Sequence, residues 1–288
     1  MKKAILSLIL TLPFNCLAET LEINETIAYS GTLANQNIFM TLSTTRDKVL
    51  GSYFYTRYKT PIALHGSTSG SKLLLIEKTI NGEAYIDADI KEGTIRGTWE
   101  LKGKIHKVHA QALSKSHEAI VKEINILEQD TMNRALSIIF KNGTNQNIDI
   151  PTLEQSTLII FEDFTFDGYP DMRILELEAG GNSSFIYFEY DVSTGKYVTS
   201  SSEISHLVNP KIIHSEKIIT SASKDGCCIY HAKKILAKEL HSASYDYESK
   251  SGHVAIINKA TGQETTKPIS EKYFEDNYLN FMGSRTPN

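Results

Sequence analysis

Between Phe161 and Asp171 three carboxylates, Asp163, Asp167 and Asp171, fall at positions 1, 5 and 9 of a nine-residue stretch. Thr165 stands at position 3 and Gly168 at position 6. A hard cation such as calcium takes roughly six to eight oxygens. The side chains of Asp163, Thr165, Asp167 and Asp171, with the backbone carbonyl of Tyr169 at position 7, are the donors this spacing offers. Gly168 permits a sharp turn that a Cβ would resist. Without a cation, three acids in one loop repel, so the stretch is expected to hold calcium, as a structural rather than a catalytic ion. Phe164 and Phe166 alternate with the acids, which would anchor the loop to a core while the acids face the other way.

Other chemistry is thinly represented. An EF-hand would need glutamate at position 12, where this chain has Ile174, and short apolar strands rather than helices flank the loop. Glycoside hydrolysis needs two carboxylates facing one another across a sugar. Glu162, Glu176 and Glu178 are near in sequence, but no spacing makes any two converge. The nine histidines are scattered, and no serine or cysteine sits in an elbow sequence. His106 and His109 would point to opposite faces of a strand. Gly180-Gly181-Asn182-Ser183 precedes a strand rather than a helix, so it reads as a turn and not as a phosphate cradle. The sequence therefore points to a binding protein, not an enzyme.

Residues 1–18 have a basic start at Lys2 and Lys3, a short apolar run and Ala18 at the cleavage position, the pattern of a secretory signal. Cys16 follows Pro13-Phe14-Asn15 rather than the small residues a lipid anchor would want, so cleavage after Ala18 and a periplasmic location are expected. The remaining chain carries 28 basic and 34 acidic residues, a formal charge of −6. With no basic stripe to neutralise phosphates, nucleic acid is not expected as a partner. No later segment is apolar enough to span a bilayer. Cys227 and Cys228 are adjacent; in an oxidising compartment they form either a vicinal disulfide or one buried and one exposed thiol.

An all-β fold is expected throughout. Residues 26–113 alternate apolar and polar in eight short runs: Thr26–Thr32, Asn37–Thr44, Lys48–Arg57, Pro61–Gly66, Lys72–Lys78, Glu83–Ile90, Gly93–Leu101 and Ile105–Leu113. Eight antiparallel strands in this length suggest a small barrel or sandwich, and Asn81-Gly82 is its strongest hairpin signal. Gly51 and Gly97 precede Tyr53, Tyr55 and Trp99, which either pack the barrel's interior and end or line a ligand pocket. Residues 114–118 form a polar boundary. A second domain spans 119–260, with Ala119–Leu127 readable as strand or helix, and residues 261–288 form a polar and aromatic tail.

The run from Ile160 to Met172 resembles the calcium loop of the periplasmic immunity proteins of antibacterial type IV secretion systems. Tyr187-Phe188-Glu189-Tyr190-Asp191 and Gly195-Lys196-Tyr197-Val198 resemble the hairpin that follows it there. Leu207-Val208-Asn209-Pro210 and the strand from Lys217 to Ser223 fit as well. The likeness spans roughly residues 119–260. It implies a calcium-stabilised β-propeller that neutralises lysozyme-type effectors, with Asp163, Thr165, Asp167, Tyr169 and Asp171 on the metal positions. Thr165 departs from the commoner Asn or Asp. The expected function is inhibition of a peptidoglycan hydrolase, with tyrosines such as Tyr169 and Tyr187 as contact anchors. The alternative is a non-inhibitory envelope binding or scaffold module whose calcium is structural.

Overall fold

In a computed structural model of the protein, residues 21–128, 134–151, 156–201 and 203–280 are described. The expected leader, Cys16 included, lies outside them. The chain is all-β, with a closed eight-stranded barrel in its N-terminal part and further sheets after it. The barrel is a meander of β1 (Leu21–Leu33), β2 (Gln36–Thr45), β3 (Lys48–Tyr55), β4 (Ile62–Ser69), β5 (Lys72–Thr79), β6 (Gly82–Lys91), β7 (Thr94–Leu101) and β8 (Lys104–Ala112). It closes where Tyr29–Leu33 of β1 pairs antiparallel with Val108–Ala112 of β8.

Alternation drives the closure. Ile38, Met40, Leu75, Ile86 and Ile95 point inward and are fully buried, whereas Glu83, Asp87, Arg96 and His109 face out. This apolar inside and polar outside is the inverse of a membrane barrel. The barrel can coil tightly because glycines stand where strands crowd. A Cβ at Gly51 would lie 2.2 Å from the Thr41 carbonyl oxygen, and one at Gly97 would lie 2.1 Å from that of Asp87. One hairpin differs from its sequence reading. Thr79 pairs with Gly82, so the turn residues are Ile80 and Asn81 rather than Asn81 and Gly82, and Ile80 is left fully exposed at the tip.

Three further groups of strands follow, one of which continues the barrel's own sheet. β9 (Val121–Glu128), β10 (Arg134–Phe140) and β11 (Asn145–Ile150) form one, which settles the segment near Ala119–Leu127 as strand. β12 (Thr157–Glu162), β13 (Asp171–Ala179), β14 (Asn182–Asp191) and β15 (Lys196–Thr199) form the next. Residues Leu21–Thr26 of β1 pair in parallel with β12, so β1 begins before the expected Thr26 and joins this sheet to the barrel. The result is one continuous twelve-stranded sheet.

The last sheet is an antiparallel meander of β16 (Lys211–Ile213), β17 (Ile218–Asp225), β18 (Ile229–Ile235), β19 (Glu239–Asp246), β20 (Ser251–Asn258) and β21 (Glu264–Ile269). The segment before it, around Glu203–Val208, folds as turns, with the Ser205 amide donating to the Ser201 carbonyl at 3.0 Å. A short helix α1 (Glu271–Phe274) is capped by the Ser270 hydroxyl, which accepts from the Tyr273 amide. Phe274 and Tyr278 are buried against Tyr245 and Val254, so the C-terminal segment docks up to Asn280 rather than trailing.

Candidate metal loop

The Asp163–Pro170 loop joins β12 to β13, whose pairing runs from Ile159↔Ile174 to Glu162↔Asp171. Phe161 and Met172 are fully buried just behind it. From this base the loop is pinned on two sides. Phe164 is buried with Tyr187, Leu207, Ile219 and Ile235, and Phe166 packs against the same cluster, which reaches the last sheet. On the other side Tyr169 stacks on Tyr190 at 5.5 Å between centroids. The Lys115 ammonium lies 4.3 Å above the Tyr169 ring. The alternation of aromatics with acids thus anchors the loop as its spacing suggests.

The acids organise the loop's own backbone. Asp171 is completely buried. Its Oδ2 accepts from the amides of Phe164 and Thr165 at 3.0 and 2.9 Å and from the Thr165 hydroxyl at 2.9 Å. Its Oδ1 accepts from the Tyr190 amide at 3.0 Å. Asp163, also buried, accepts from the amides of Asp167 and Gly168, both at 3.0 Å. Exposed Asp167 accepts from the Tyr169 amide at 2.9 Å. Gly168 takes φ +90°, and Phe166 is also left-handed at +61°.

Burial pushes the Asp171 carboxyl up to about 7, against the pull of the Tyr190 and Thr165 donors. Burial likewise raises Asp163, countered first by the Gly168 amide. Among the described residues neither acid has an ion-pair partner. The nearby bases belong to Glu162 instead: Arg173 Nη2 lies 3.0 Å from its Oε2, and His214 Nε2 lies 3.0 Å from its Oε1. All three residues are nine-tenths buried or more.

The donor set is all oxygen, as a hard cation prefers, and includes two buried carboxylates with no ion-pair partner among the described residues. Among the described residues, however, the oxygens of Asp163, Asp167 and Asp171 do not gather within 4.8 Å of one another. Those of Asp163 and Asp171 are turned onto loop amides. The residues offer calcium the right kind of atom, oxygen, but their side chains do not converge on one point. Taking an ion would redirect lone pairs that now hold the backbone.

Other sequence-marked positions fall as follows. Tyr187 is buried, its hydroxyl donating to the Leu207 carbonyl at 2.9 Å, so it cannot serve as an exposed anchor. Glu178 is exposed and accepts from the Ser183 hydroxyl. His106 pairs with Trp99 and His109 with Arg96 across β7 and β8, on opposite faces. Cys227 and Cys228 are joined as a vicinal disulfide in the β17–β18 turn, with Glu248 beside them.

Tyr53, Tyr55 and Trp99 do converge, around Glu77. That buried carboxylate accepts from the Tyr53 hydroxyl at 2.9 Å and from Trp99 Nε1 at 2.8 Å. Sequence reasoning missed both Glu77 and the Glu162–Arg173–His214 triad. The available signal was an ionisable residue at an inward position of an apolar strand: Glu77 after Leu73 and Leu75, and Arg173 between Met172 and Ile174. No family model, curated protein or solved structure matches this chain.

Proposed function

We propose that the chain is an exported, calcium-binding protein of the periplasm that blocks a lysozyme-like peptidoglycan hydrolase, without being an enzyme itself. The observation that carries the metal reading is the pair of buried carboxylates, Asp163 and Asp171, without an ion-pair partner among the described residues, on a loop pinned from both sides by aromatics. In solution Asp163, Asp167 and Asp171, with the Thr165 hydroxyl and the Tyr169 carbonyl, would hold the ion. The propeller-like reading of the sheets after the barrel, and the inhibitory role, rest on the resemblance of residues 119–260 to immunity proteins. A metal-rigidified surface would cover the hydrolase cleft sterically, and little conformational entropy would be lost on association.

Calcium is tested by thermal melting with calcium added and with chelator. For a micromolar site, millimolar calcium stabilises by about 4 kcal/mol. Asp167→Asn, at an exposed position, should abolish most of that gain while leaving the chelated protein's melting point nearly unchanged. Equal calcium response in the two proteins would end the metal reading. Inhibition is tested separately, by mixing the protein with lysozyme-type enzymes on cell-wall substrate. Calcium-dependent stabilisation with no inhibition of any hydrolase class would leave the scaffold module as the reading.

A further inference from the structure

The two ends of the barrel both expose apolar side chains and differ in the charges around them. At one end lie the β2–β3, β4–β5 and β6–β7 turns, where Leu50, Leu74 and Leu113 are 64%, 45% and 48% exposed and charges are mixed: Arg46 with Asp47, Lys72 paired to Asp89 at 3.0 Å, and Lys91 beside Glu92. At the other end lie the β1–β2, β3–β4, β5–β6 and β7–β8 turns, and here large apolar side chains stand in water. Ile80 at the β5–β6 tip is 102% exposed, Ile105 61%, Tyr58 60% and Tyr85 43%. Around them Arg57, Lys59, Lys78, Lys102, Lys104 and Lys107 are all exposed, against the exposed acids Glu83 and Glu100. Only Lys59 of these bases is ion-paired among the described residues, to Glu216 at 3.5 Å. Glu77, the other acid here, is buried beneath Tyr53 and Trp99.

The Ile80 position is informative because the hairpin does not need it. A two-residue turn tip is ordinarily polar, and an aliphatic side chain there stabilises nothing within the fold. Aliphatic tips flanked by tyrosine and ringed by lysine suit one environment well. The aliphatic groups enter hydrocarbon, the tyrosines sit at headgroup level, and the bases meet anionic headgroups. An anionic glycan would answer the lysines but would offer nothing apolar to a fully exposed isoleucine.

We infer that this end of the barrel docks peripherally on an anionic phospholipid surface, with Ile80 and Ile105 inserting and Lys102 and Lys104 binding headgroups. The contact is independent of the metal loop and of any hydrolase. It would hold the protein at the membrane face with no spanning segment.

The test is co-sedimentation of the full chain with vesicles of phosphatidylcholine alone or mixed with phosphatidylglycerol, at low and high salt. Wild type should bind the mixed vesicles, with binding weakened by salt, and should leave pure phosphatidylcholine largely in the supernatant. Ile80→Ser with Ile105→Ser, and separately Lys102→Glu with Lys104→Glu, should each weaken binding at least about tenfold. Because all four side chains are exposed, melting points should be unchanged, and this is measured alongside. Absence of binding to the mixed vesicles would overturn the inference. So would binding that survives the isoleucine pair while failing with the lysine pair, since that marks a charge patch with no insertion.

Discussion

Two glutamates, one in the barrel and one in the sheet that carries the metal loop, are buried almost equally and solved differently. Glu77 is 7% exposed and is satisfied by neutral donors, the Tyr53 hydroxyl and the Trp99 indole. Glu162 is 5% exposed and faces Arg173 and His214, each at 3.0 Å. The barrel's carboxylate is held by β3 and β7, next to nearest strands of one meander. The other is held from β13 and from the turn after β16, so it ties the twelve-stranded sheet to the last one. Local periodicity closes the first region, and a long-range charge cluster helps to close the second.

The largest expected effect tests that difference directly. Glu162→Ala removes one partner from a buried ion pair and leaves the Arg173 guanidinium without a counter-charge. It should cost about 4 kcal/mol in urea unfolding. Glu77→Ala leaves two neutral donors unsatisfied instead, for about 2 kcal/mol. Equal costs would mean that the charge of Arg173 contributes nothing and the two sites are alike.

A pH effect specific to the loop rivals the larger of these in size. The folded Asp171 carboxyl titrates at about 7, raised chiefly by burial, from an ordinary value near 4. The folded state therefore holds a proton that the unfolded chain has released. Its contribution is complete below about pH 4 and is lost as pH rises through 7, with a slope near 1.4 kcal/mol per unit at its steepest. In chelator the melting point should fall over that window. Calcium, which needs the ionised form, should flatten or reverse the fall. A chelated melting curve that rises across the window would contradict the burial of Asp171. Glu77→Gln, in the barrel, should leave this dependence in place.

How much was legible follows the same division. Asn37–Thr44, Lys72–Lys78 and Gly93–Leu101 match β2, β5 and β7 within a residue at each end, because inward and outward positions alternate and each strand pairs with its neighbour. The first residues of β1 were not legible, since Leu21–Thr26 answers to Thr157–Glu162, far along the chain and parallel. β21 was missed because its residues are polar and exposed at a sheet edge, where no burial imprints a pattern. In the loop, donor types and the anchoring role of Phe164 and Phe166 could be read from spacing. The amides that Asp163 and Asp171 hold could not, because they depend on left-handed backbone at Phe166 and Gly168. Arg173 and His214 find Glu162 only through tertiary packing, which local spacing does not encode.

The smallest effect is expected where the chain has its only cross-link among the described residues. Cys227 and Cys228 are neighbours in the β17–β18 turn, on the last sheet and away from both buried glutamates. A disulfide stabilises mainly by restricting the unfolded chain, and one that closes no loop restricts little. Cys227→Ser with Cys228→Ser should therefore lower stability by about 1 kcal/mol or less, and reductant should shift the wild-type melting point by no more. The last sheet is tied to the rest of the molecule by the Glu162 cluster, by Phe164 and by Asn182, whose side chain pairs with the Lys224 backbone at 2.8 and 3.0 Å. The metal loop touches only the first two, so breaking this bond should leave the calcium response intact. A loss approaching that of Glu162→Ala would place the closure of the second region in the turn rather than in the charge cluster.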